Sequence, residues 1–448
     1  MRHLLACLSL FAIFPMGFNA FAQEASSLAQ TTSASKESNT HLEQDASSPE
    51  VSKAEAAMAK GDWKAAEPLL DSWLAGHPRD ERVLFDAGYL ADAQGRNDDA
   101  VSLYRRAVAV DPRSFESEVS LGLMLARIGK PAEARPALWT ATTLDPGEAG
   151  PAAKAKAWRA LAQIDFQGLD GKPDAAQASI DLLEALKISP ETEDDTLLAA
   201  SIAEASGDSA GAEAAYRRTL KKNPESGLAI AGLAHILIDQ KKYSDVVDLL
   251  EPALKKTPDD AAMTAQLAAA MVAQDKADAL PLLQQFHQKH PQELAITRML
   301  AEVEADAGEY SDSDQLYAVL LAANPKDEAL LSGHGQNLIR LHRYPEALKA
   351  FQSATEIDET DGDAWNGLAF AAFETHQPAV TLHALTVRSK YLPESATIDF
   401  LWATAYDTLH DKKQAVAYYH RFLESAAGKF PDQEWQARQR LALLEKSQ

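Results

Sequence analysis

The pentapeptide Gly-Asp-Ser-Ala-Gly at residues 207–211 has the G-x-S-x-G spacing with which hydrolases present a nucleophilic serine, here Ser209. In those enzymes the serine lies on a strained turn between a strand and a helix. Residues 193–206 have a helical apolar period instead, and Gly207 falls where neighbouring segments have a turn glycine. We therefore interpret Ser209 as part of an ordinary turn before a helix, and not as a nucleophile.

Three histidines, His342, His376 and His410, follow one another at intervals of 34 residues and could form a row suited to metal binding or pH sensing. Adjacent packed helices lie about 8–10 Å apart, whereas a zinc–nitrogen bond is about 2 Å long. Histidine is also enriched in the left-handed backbone conformation that tight turns need. We predict that the three are turn residues and do not share a metal ion.

The acidic segment 358–363 resembles a calcium-binding loop at first sight. When Gly362 is aligned with the invariant glycine of such a loop, Ile357 and Leu368 occupy the positions of the first and last ligands, so the pattern fails. An N-cap formed by Asp361 or Asp363 explains the segment better. With no catalytic or ligand set left, the sequence predicts no enzyme activity, no cofactor and no metal.

A repeat with a period of 34 residues organises the chain and should position any functional side chain. Small residues, glycines and prolines recur in two consecutive copies, as Gly88, Gly95, Ala100, Ala107 and Pro112 and then as Gly122, Gly129, Ala134, Ala141 and Pro146. We count eleven copies, which start near residues 47, 81, 115, 150, 193, 227, 261, 294, 328, 362 and 396. A fixed period of this length predicts a solenoid of stacked helix pairs. One interval is 44 residues long, and we place its extra residues in a loop at 168–173.

The pattern strongly resembles the tetratricopeptide repeat. Trp365, Leu368 and Ala369 match the first helix of that family, and Tyr104 and Phe351 occupy the aromatic position of its second helix. The resemblance implies an all-α fold, a right-handed superhelical α-solenoid whose first helices line a concave groove for a protein partner.

Four segments are predicted. Residues 1–22 read as a signal peptide cleaved before Gln23, and residues 23–53 as a flexible low-complexity tether. Residues 54–428 form the solenoid and residues 429–448 a capping helix, in which Trp435, Leu441 and Leu444 should cover the last repeat. An uncleaved anchor and a lipoprotein site at Cys7 remain the alternatives for the leader. A periplasmic or secreted protein is expected.

Charge and cysteine content narrow the possible partners. The formal net charge is −23, so the phosphate backbone of nucleic acids would be repelled and a cationic or neutral partner is favoured. Cys7 is the only cysteine and lies in the predicted leader, which excludes disulfides and thiolate metal sites from the mature chain. No other stretch is long and apolar enough to cross a membrane.

The resemblance also gives a candidate partner-binding surface in the groove. By register, the residues that face it are Phe85, Tyr89, Leu123, Ser201, His235, Arg298, Gln336, Asn366, Phe370, Phe373 and Phe400. The groove lacks the full set of lysines and asparagines with which some family members clamp an acidic C-terminus, so we do not predict capture of acidic C-termini. We expect a non-enzymatic scaffold that binds an extended or helical peptide segment. The alternative is an accessory of exopolysaccharide or cell-envelope assembly or export that contacts glycan.

Overall fold

The computed structural model describes residues 48–169 and 171–446, and within them the chain is almost entirely α-helical. An isolated bridge between Leu169 and Lys172 is the one piece of β-structure in these ranges. The predicted signal peptide and residues 23–47 of the predicted tether lie outside the described residues. The described chain falls into two compact units, residues 48–242 and residues 243–446.

The helices of the first unit follow the predicted repeats. They are α1 (Pro49–Met58), α2 (Trp63–Gly76), α3 (Glu81–Ala93), α4 (Asn97–Val110), α5 (Phe115–Arg127), α6 (Pro131–Thr143), α7 (Gly150–Gln167), α8 (Ala175–Ile188), α9 (Glu193–Ala205), α10 (Ser209–Lys222) and α11 (Gly227–Asp239). A short 3₁₀ turn, Gly147–Ala149, precedes α7. The predicted loop at 168–173 accounts for only part of the extra length of the fourth repeat, because the first helix of the pair, α7, is itself extended to 18 residues.

The second unit repeats the same arrangement. Its helices are α12 (Tyr243–Leu254), α13 (Ala261–Val272), α14 (Ala279–Lys289), α15 (Leu294–Ala307), α16 (Tyr310–Ala323), α17 (Glu328–Arg340), α18 (Tyr344–Ile357), α19 (Gly362–Glu374), α20 (Pro378–Arg388), α21 (Ala396–Thr408), α22 (Lys412–Ala426) and α23 (Pro431–Lys446). In sequence order the described helices make eleven pairs and one closing helix. The predicted all-α solenoid is confirmed.

Small residues allow the two helices of a pair to approach closely. A β-carbon added at Gly88 would lie 2.8 Å from Tyr104 Cδ1, and one added at Gly122 would lie 2.6 Å from Leu138 Cγ. Real β-carbons essentially never make such contacts, so the aromatic or leucine side chain of the second helix occupies the space that glycine leaves free.

The turns within the pairs share a left-handed residue. Gly95, Gly129 and Gly207 have φ angles of 74°, 76° and 76°. His342, His376 and His410 occupy the same place at 57°, 57° and 64°, as the turn interpretation predicted. Glycine adopts this conformation without steric cost, whereas a histidine there is held by the helices on either side.

Helix α1 begins inside the segment that was predicted as tether. The Oγ of Ser48 accepts a hydrogen bond from the backbone N–H of Glu50 at 3.1 Å, and Pro49 stands at the first helical position. Both are favourable at a helix start, because the first N–H groups have no partner within the helix. The helical part of the described chain therefore begins at Pro49 and not at residue 54.

The closing helix α23 packs on α22 through Ala437 and Leu441, both buried, with Leu444 half-buried beside them. The sequence interpretation was wrong about Trp435, which is 64% exposed and points away from the last repeat. No helix among the described residues combines the length and the apolar composition that a membrane span requires.

Candidate partner-binding surface

The candidate residues all lie on the first helices of the pairs. Several of them directly follow the small residue that packs against the second helix of the same pair, as Tyr89 follows Gly88 and Phe370 follows Ala369. Because the small residue faces the partner helix, the next residue is turned about 100° away from it. Except for Leu123, the candidates at this position therefore lie at the rim of the packed core and remain partly accessible.

In the first unit, Tyr89 and Phe85 are half-buried aromatic residues of α3. The Tyr89 ring meets the edge of Trp63 at 5.9 Å between centroids, and the Phe85 ring lies 5.7 Å from Tyr104. Burial, helped by the nearby charge of Asp92, raises the pKa of Tyr89 above its usual value. The phenol is therefore neutral and can contact a partner both as an apolar surface and as a hydrogen-bonding group.

Leu123 does not belong to this surface. Its side chain is 6% exposed and is part of the core cluster around α5. The fourth repeat instead contributes Trp158, which sequence reasoning missed because the insertion interrupted the register there. Trp158 follows the buried Ala157 just as Tyr89 follows Gly88, so the same rule would have found it. Its ring meets that of Trp139 edge to face at 5.9 Å.

The polar candidates of the first unit already have partners within the chain. The Ser201 hydroxyl donates to the Leu197 carbonyl oxygen at 3.1 Å. His235 Nε2 lies 3.3 Å from Glu204 Oε1, and the Tyr216 hydroxyl donates to the other oxygen of Glu204 at 3.2 Å. This His–Glu–Tyr group links neighbouring repeats.

Ion pairs run between successive first helices in the same unit. Arg127 on α5 donates to Asp92 on α3, and both side chains are largely buried. Arg159 on α7 donates to Asp195 on α9 through Nε and Nη2, each at 2.8 Å from a carboxylate oxygen. Aromatic rings therefore alternate along the surface with ion pairs that are already satisfied.

In the second unit, three phenylalanines of the candidate set are half-buried. The Phe370 ring meets that of Tyr344 edge to face at 6.2 Å, and Phe373 packs against the same core cluster. Phe400 lies 5.1 Å from Phe422 between ring centroids. Phe400 therefore packs partly against the core of its repeat. Phe370 lies mainly at the edge of the core, where part of its ring is accessible.

The other candidates of the second unit are polar. Gln336 is exposed. The side-chain oxygen of Asn366 accepts a hydrogen bond from Arg388 Nε at 2.9 Å. Arg298 lies 3.3 Å from Glu302 on its own helix and 3.6 Å from Asp327. Of these three, Gln336 is the residue that the fold leaves most open to a partner.

The motifs that could have indicated chemistry are structural in the described part of the chain. Gly207 forms the turn, and the Asp208 carboxylate caps α10 by accepting a hydrogen bond from the Gly211 N–H at 2.9 Å. Asp361 caps α19 by accepting from the Asp363 N–H at 2.8 Å. Within the described residues no group of three or more His, Cys, Asp or Glu side chains could hold a metal ion.

Family models and curated proteins match parts of this chain. Tetratricopeptide-repeat family models match residues 51–115, 85–149 and 181–301. Among curated proteins the chain is similar to the cellulose synthase operon protein C of Pseudomonas fluorescens, with 27% identity over 272 residues. It is also similar to the cellulose synthase 1 operon protein C of Komagataeibacter xylinus, with 24% identity over 287 residues. The matches cover 51% and 58% of this chain but only 21% of each relative, so the chain spans about a fifth of their length.

A similar solved structure is a tetratricopeptide repeat protein from Parabacteroides merdae, with 15% identity and a TM-score of 0.40 over 56% of this chain and 98% of that one. The family models match two separate parts of the chain, and the helix pairs with their small-residue contacts continue through both units. Tetratricopeptide-repeat models therefore match residues 51–149 and 181–301 of this chain.

Proposed function

We propose that this protein is a non-enzymatic interaction scaffold that binds an extended or helical segment of another protein along its first helices. The observation that carries the proposal is a half-buried aromatic side chain that recurs directly after the small residue of a first helix, as Tyr89 and Trp158 in the first unit and as Phe370 in the second. Aromatic residues presented in this way supply contact area at a low cost in side-chain entropy.

Charge favours a cationic or neutral partner. The whole chain has a formal net charge of −23. On the first helices of the first unit, Arg127 and Arg159 are already paired with carboxylates. An acidic segment would therefore meet repulsion, whereas a basic one would be attracted over a Debye length of about 8 Å at physiological salt. The apolar leader at residues 4–14 supports placing the scaffold in the periplasm or outside the cell.

The test uses site-specific photo-crosslinking in cells. A photoreactive residue at the exposed Gln336 should crosslink a defined partner, and Phe370→Ala in the same chain should reduce that product. A photoreactive residue at Leu183, which is 56% exposed on the second helix α8, is the matched control. The same crosslinked products from both positions, or no effect of Phe370→Ala in a folded variant, would reject the proposed surface.

A second candidate function is a part in the assembly or export of cellulose or a related exopolysaccharide, through direct contact with glycan. The observation that favours it is the similarity to two proteins named as products of cellulose synthase operons. Trp158 and Trp139 offer partly exposed indole faces, whereas Trp365 and Trp402 are buried at 8% and 6% exposure.

Titration with soluble β-1,4-linked oligosaccharides separates the two candidates. A glycan surface in the fourth repeat predicts a saturable change in tryptophan fluorescence that Trp158→Phe diminishes. If the fluorescence stays constant while Gln336 still crosslinks a protein, the glycan candidate is rejected and the protein scaffold stands.

A further inference from the structure

Helix α23 presents a continuous exposed stripe on the side away from the last repeat. Its residues follow one another at intervals of three, four, three and four positions, the spacing of a helix–helix seam. They are Asp432, Trp435, Gln439, Ala442 and Lys446, and all are exposed. Leu443 borders the stripe and is 61% exposed, so two large apolar side chains stand close together in water.

Trp435 is more exposed than Trp139, which is 47% exposed, and far more than Trp365. Trp365, a tryptophan on the first helix α19, is covered by its neighbours to 8% exposure, whereas Trp435 is 64% exposed. Single exposed apolar residues are common on protein surfaces. Here, however, Trp435 and Leu443 lie on the same side of one helix, with an uncharged residue, Gln439, between them.

The stripe is complementary to itself when two copies run antiparallel. Gln439 is its centre, since Trp435 and Leu443 lie four residues to either side and Asp432 and Lys446 lie seven. Because each residue advances the helix by about 1.5 Å, a twofold axis at Gln439 places each tryptophan opposite the leucine of the other copy. The same axis places each Asp432 opposite the other copy's Lys446.

Charges beside the stripe do not oppose this pairing, because each lies close to a partner within its own chain. Arg438 lies 3.0 Å from Glu434, and Arg440 donates to both oxygens of Asp407 at 2.6 and 2.8 Å. Glu445 lies 3.0 Å from His420. Two copies of α23 therefore meet through an apolar centre and two opposite-charge ends.

We propose that α23 is a homodimerisation surface, on which the α23 of a second copy binds antiparallel about Gln439. The contact is isologous, since both copies use the same patch. One helix pair lies at the low end of the interface sizes that hold specific complexes together. The dimer should therefore form reversibly, with a dissociation constant on the order of micromolar.

Sedimentation velocity of the full chain over a concentration range on the order of 1–100 μM tests the proposal. The wild type should shift from monomer to dimer, and Trp435→Ala should raise the dissociation constant by a factor of about ten or more, because tryptophans commonly dominate interface energies. Trp139→Ala, at a 47% exposed tryptophan on α6, is the matched control and should leave the dimer unchanged. A wild type that stays monomeric throughout the range overturns the proposal.

Charge exchange tests the register and does not depend on removing a large side chain. Asp432→Lys and Lys446→Asp should each weaken the dimer, because each creates two like-charge contacts. The double variant should restore it, since the ends are again complementary. If the double variant stays as weak as either single one, the antiparallel register is wrong.

Crosslinking locates the axis. With Cys7 replaced by serine, Gln439→Cys should give a covalent dimer with a short bis-maleimide. Lys349→Cys, an exposed position on α18, should remain monomeric under the same treatment. A dimer seen by sedimentation that does not crosslink at Gln439 would show that another surface joins the copies.

Discussion

The ring of Phe351 on α18 occupies the space beside Gly367 on α19 so closely that a β-carbon at Gly367 would lie 2.3 Å from Phe351 Cζ. The same ring also borders Gly335 on α17, where an added β-carbon would lie 2.8 Å from Phe351 Cε2. Phe351 is fully buried, so its ring has no room to move aside. Two glycines therefore accommodate one aromatic residue and join two consecutive repeats.

Replacing Gly367 with alanine should lower the free energy of unfolding by about 1–3 kcal/mol, because overpacking the core outweighs the better helix propensity of alanine. Gly76→Ala is the control, since Gly76 ends helix α2 and a β-carbon there meets nothing within 4 Å. Urea denaturation followed by circular dichroism measures both. Equal midpoints for the two variants would contradict the close contact.

The ion pair between Arg159 and Asp195 should contribute more to the free energy of unfolding than the exposed ion pairs of the chain. Burial alone would raise the pKa of Asp195, but hydrogen bonds from Arg159 and from the Thr192 backbone N–H hold this pKa below its usual value. Arg159→Met should cost about 3 kcal/mol, because it leaves a buried carboxylate without its partner. Arg105→Met, at an exposed pair with Glu133, should cost less than about 1 kcal/mol.

Segment-resolved hydrogen exchange is the suitable measurement for this pair, since repeats can open separately. Loss of protection in α7 and α9 only in Arg159→Met is the expected result. Because the pKa of Asp195 is lowered on folding, its contribution is present above its unfolded value near 4 and is lost as the pH falls below it. The difference between wild type and Arg159→Met should therefore shrink in acid.

Asp181 should make the first unit less stable as the pH rises. Its side chain is fully buried, and burial raises its pKa to about 6, aided by the neighbouring carboxylate of Asp165 and opposed by the hydrogen bond from Gln177 and the charge of Arg135. The folded state holds the proton more tightly than the unfolded state. The stabilisation is therefore complete below pH 4 and is lost as the pH rises through about 6.

Asp181→Asn removes this ionisation, so it should stabilise the unit at pH 8 by on the order of 2–3 kcal/mol. At pH 4 the variant and the wild type should have similar stability, which provides an internal control. Urea denaturation at both pH values is the measurement. A variant that is less stable than wild type at pH 8 would show that the carboxylate is stabilised there.

The histidine turns should tolerate glycine but not a β-branched residue. His376 has a φ of 57°, a conformation that costs an L-residue roughly 1 kcal/mol or more and glycine nothing sterically. His376→Gly should therefore be neutral or slightly stabilising, and His376→Val should destabilise by at least about 1 kcal/mol. Thermal unfolding distinguishes them, and a zinc-dependent rise in the wild-type melting temperature would restore the metal interpretation of the histidine row.

Much of the fold could be predicted because the same packing pattern recurs in successive repeats of a solenoid. The small residue at the Gly88 and Gly122 position fixed the register of the pairs, and the left-handed turns at Gly95 and His342 lie where the period placed them. A position that is ambiguous in one repeat can therefore be assigned from the equivalent residues of the others. Only the fourth repeat, with its longer α7, lacked such support, and Trp158 was missed there.

The surface was harder to predict, for a physical reason. Helical periodicity shows which face of a helix is apolar, but it does not show which neighbour covers that face. Leu123 was therefore placed on the surface although it lies in the core, and Trp435 was placed in the core although it lies in water. Both errors concern the flank of a helix, where burial depends on the next element.

The turn glycines have a practical consequence. Gly95, Gly129 and Gly207 have no atom near the position of a β-carbon, and each lies outside the helices that carry the packing. A side chain on the glycine itself would strain the backbone, since φ is 74–76° at all three. The exposed neighbours Gln94, Lys130 and Ser206 are therefore the attachment points for fluorophores or epitopes at known intervals along the chain. Probes placed there could report, by energy transfer, whether the protein stretches or coils when a partner is bound.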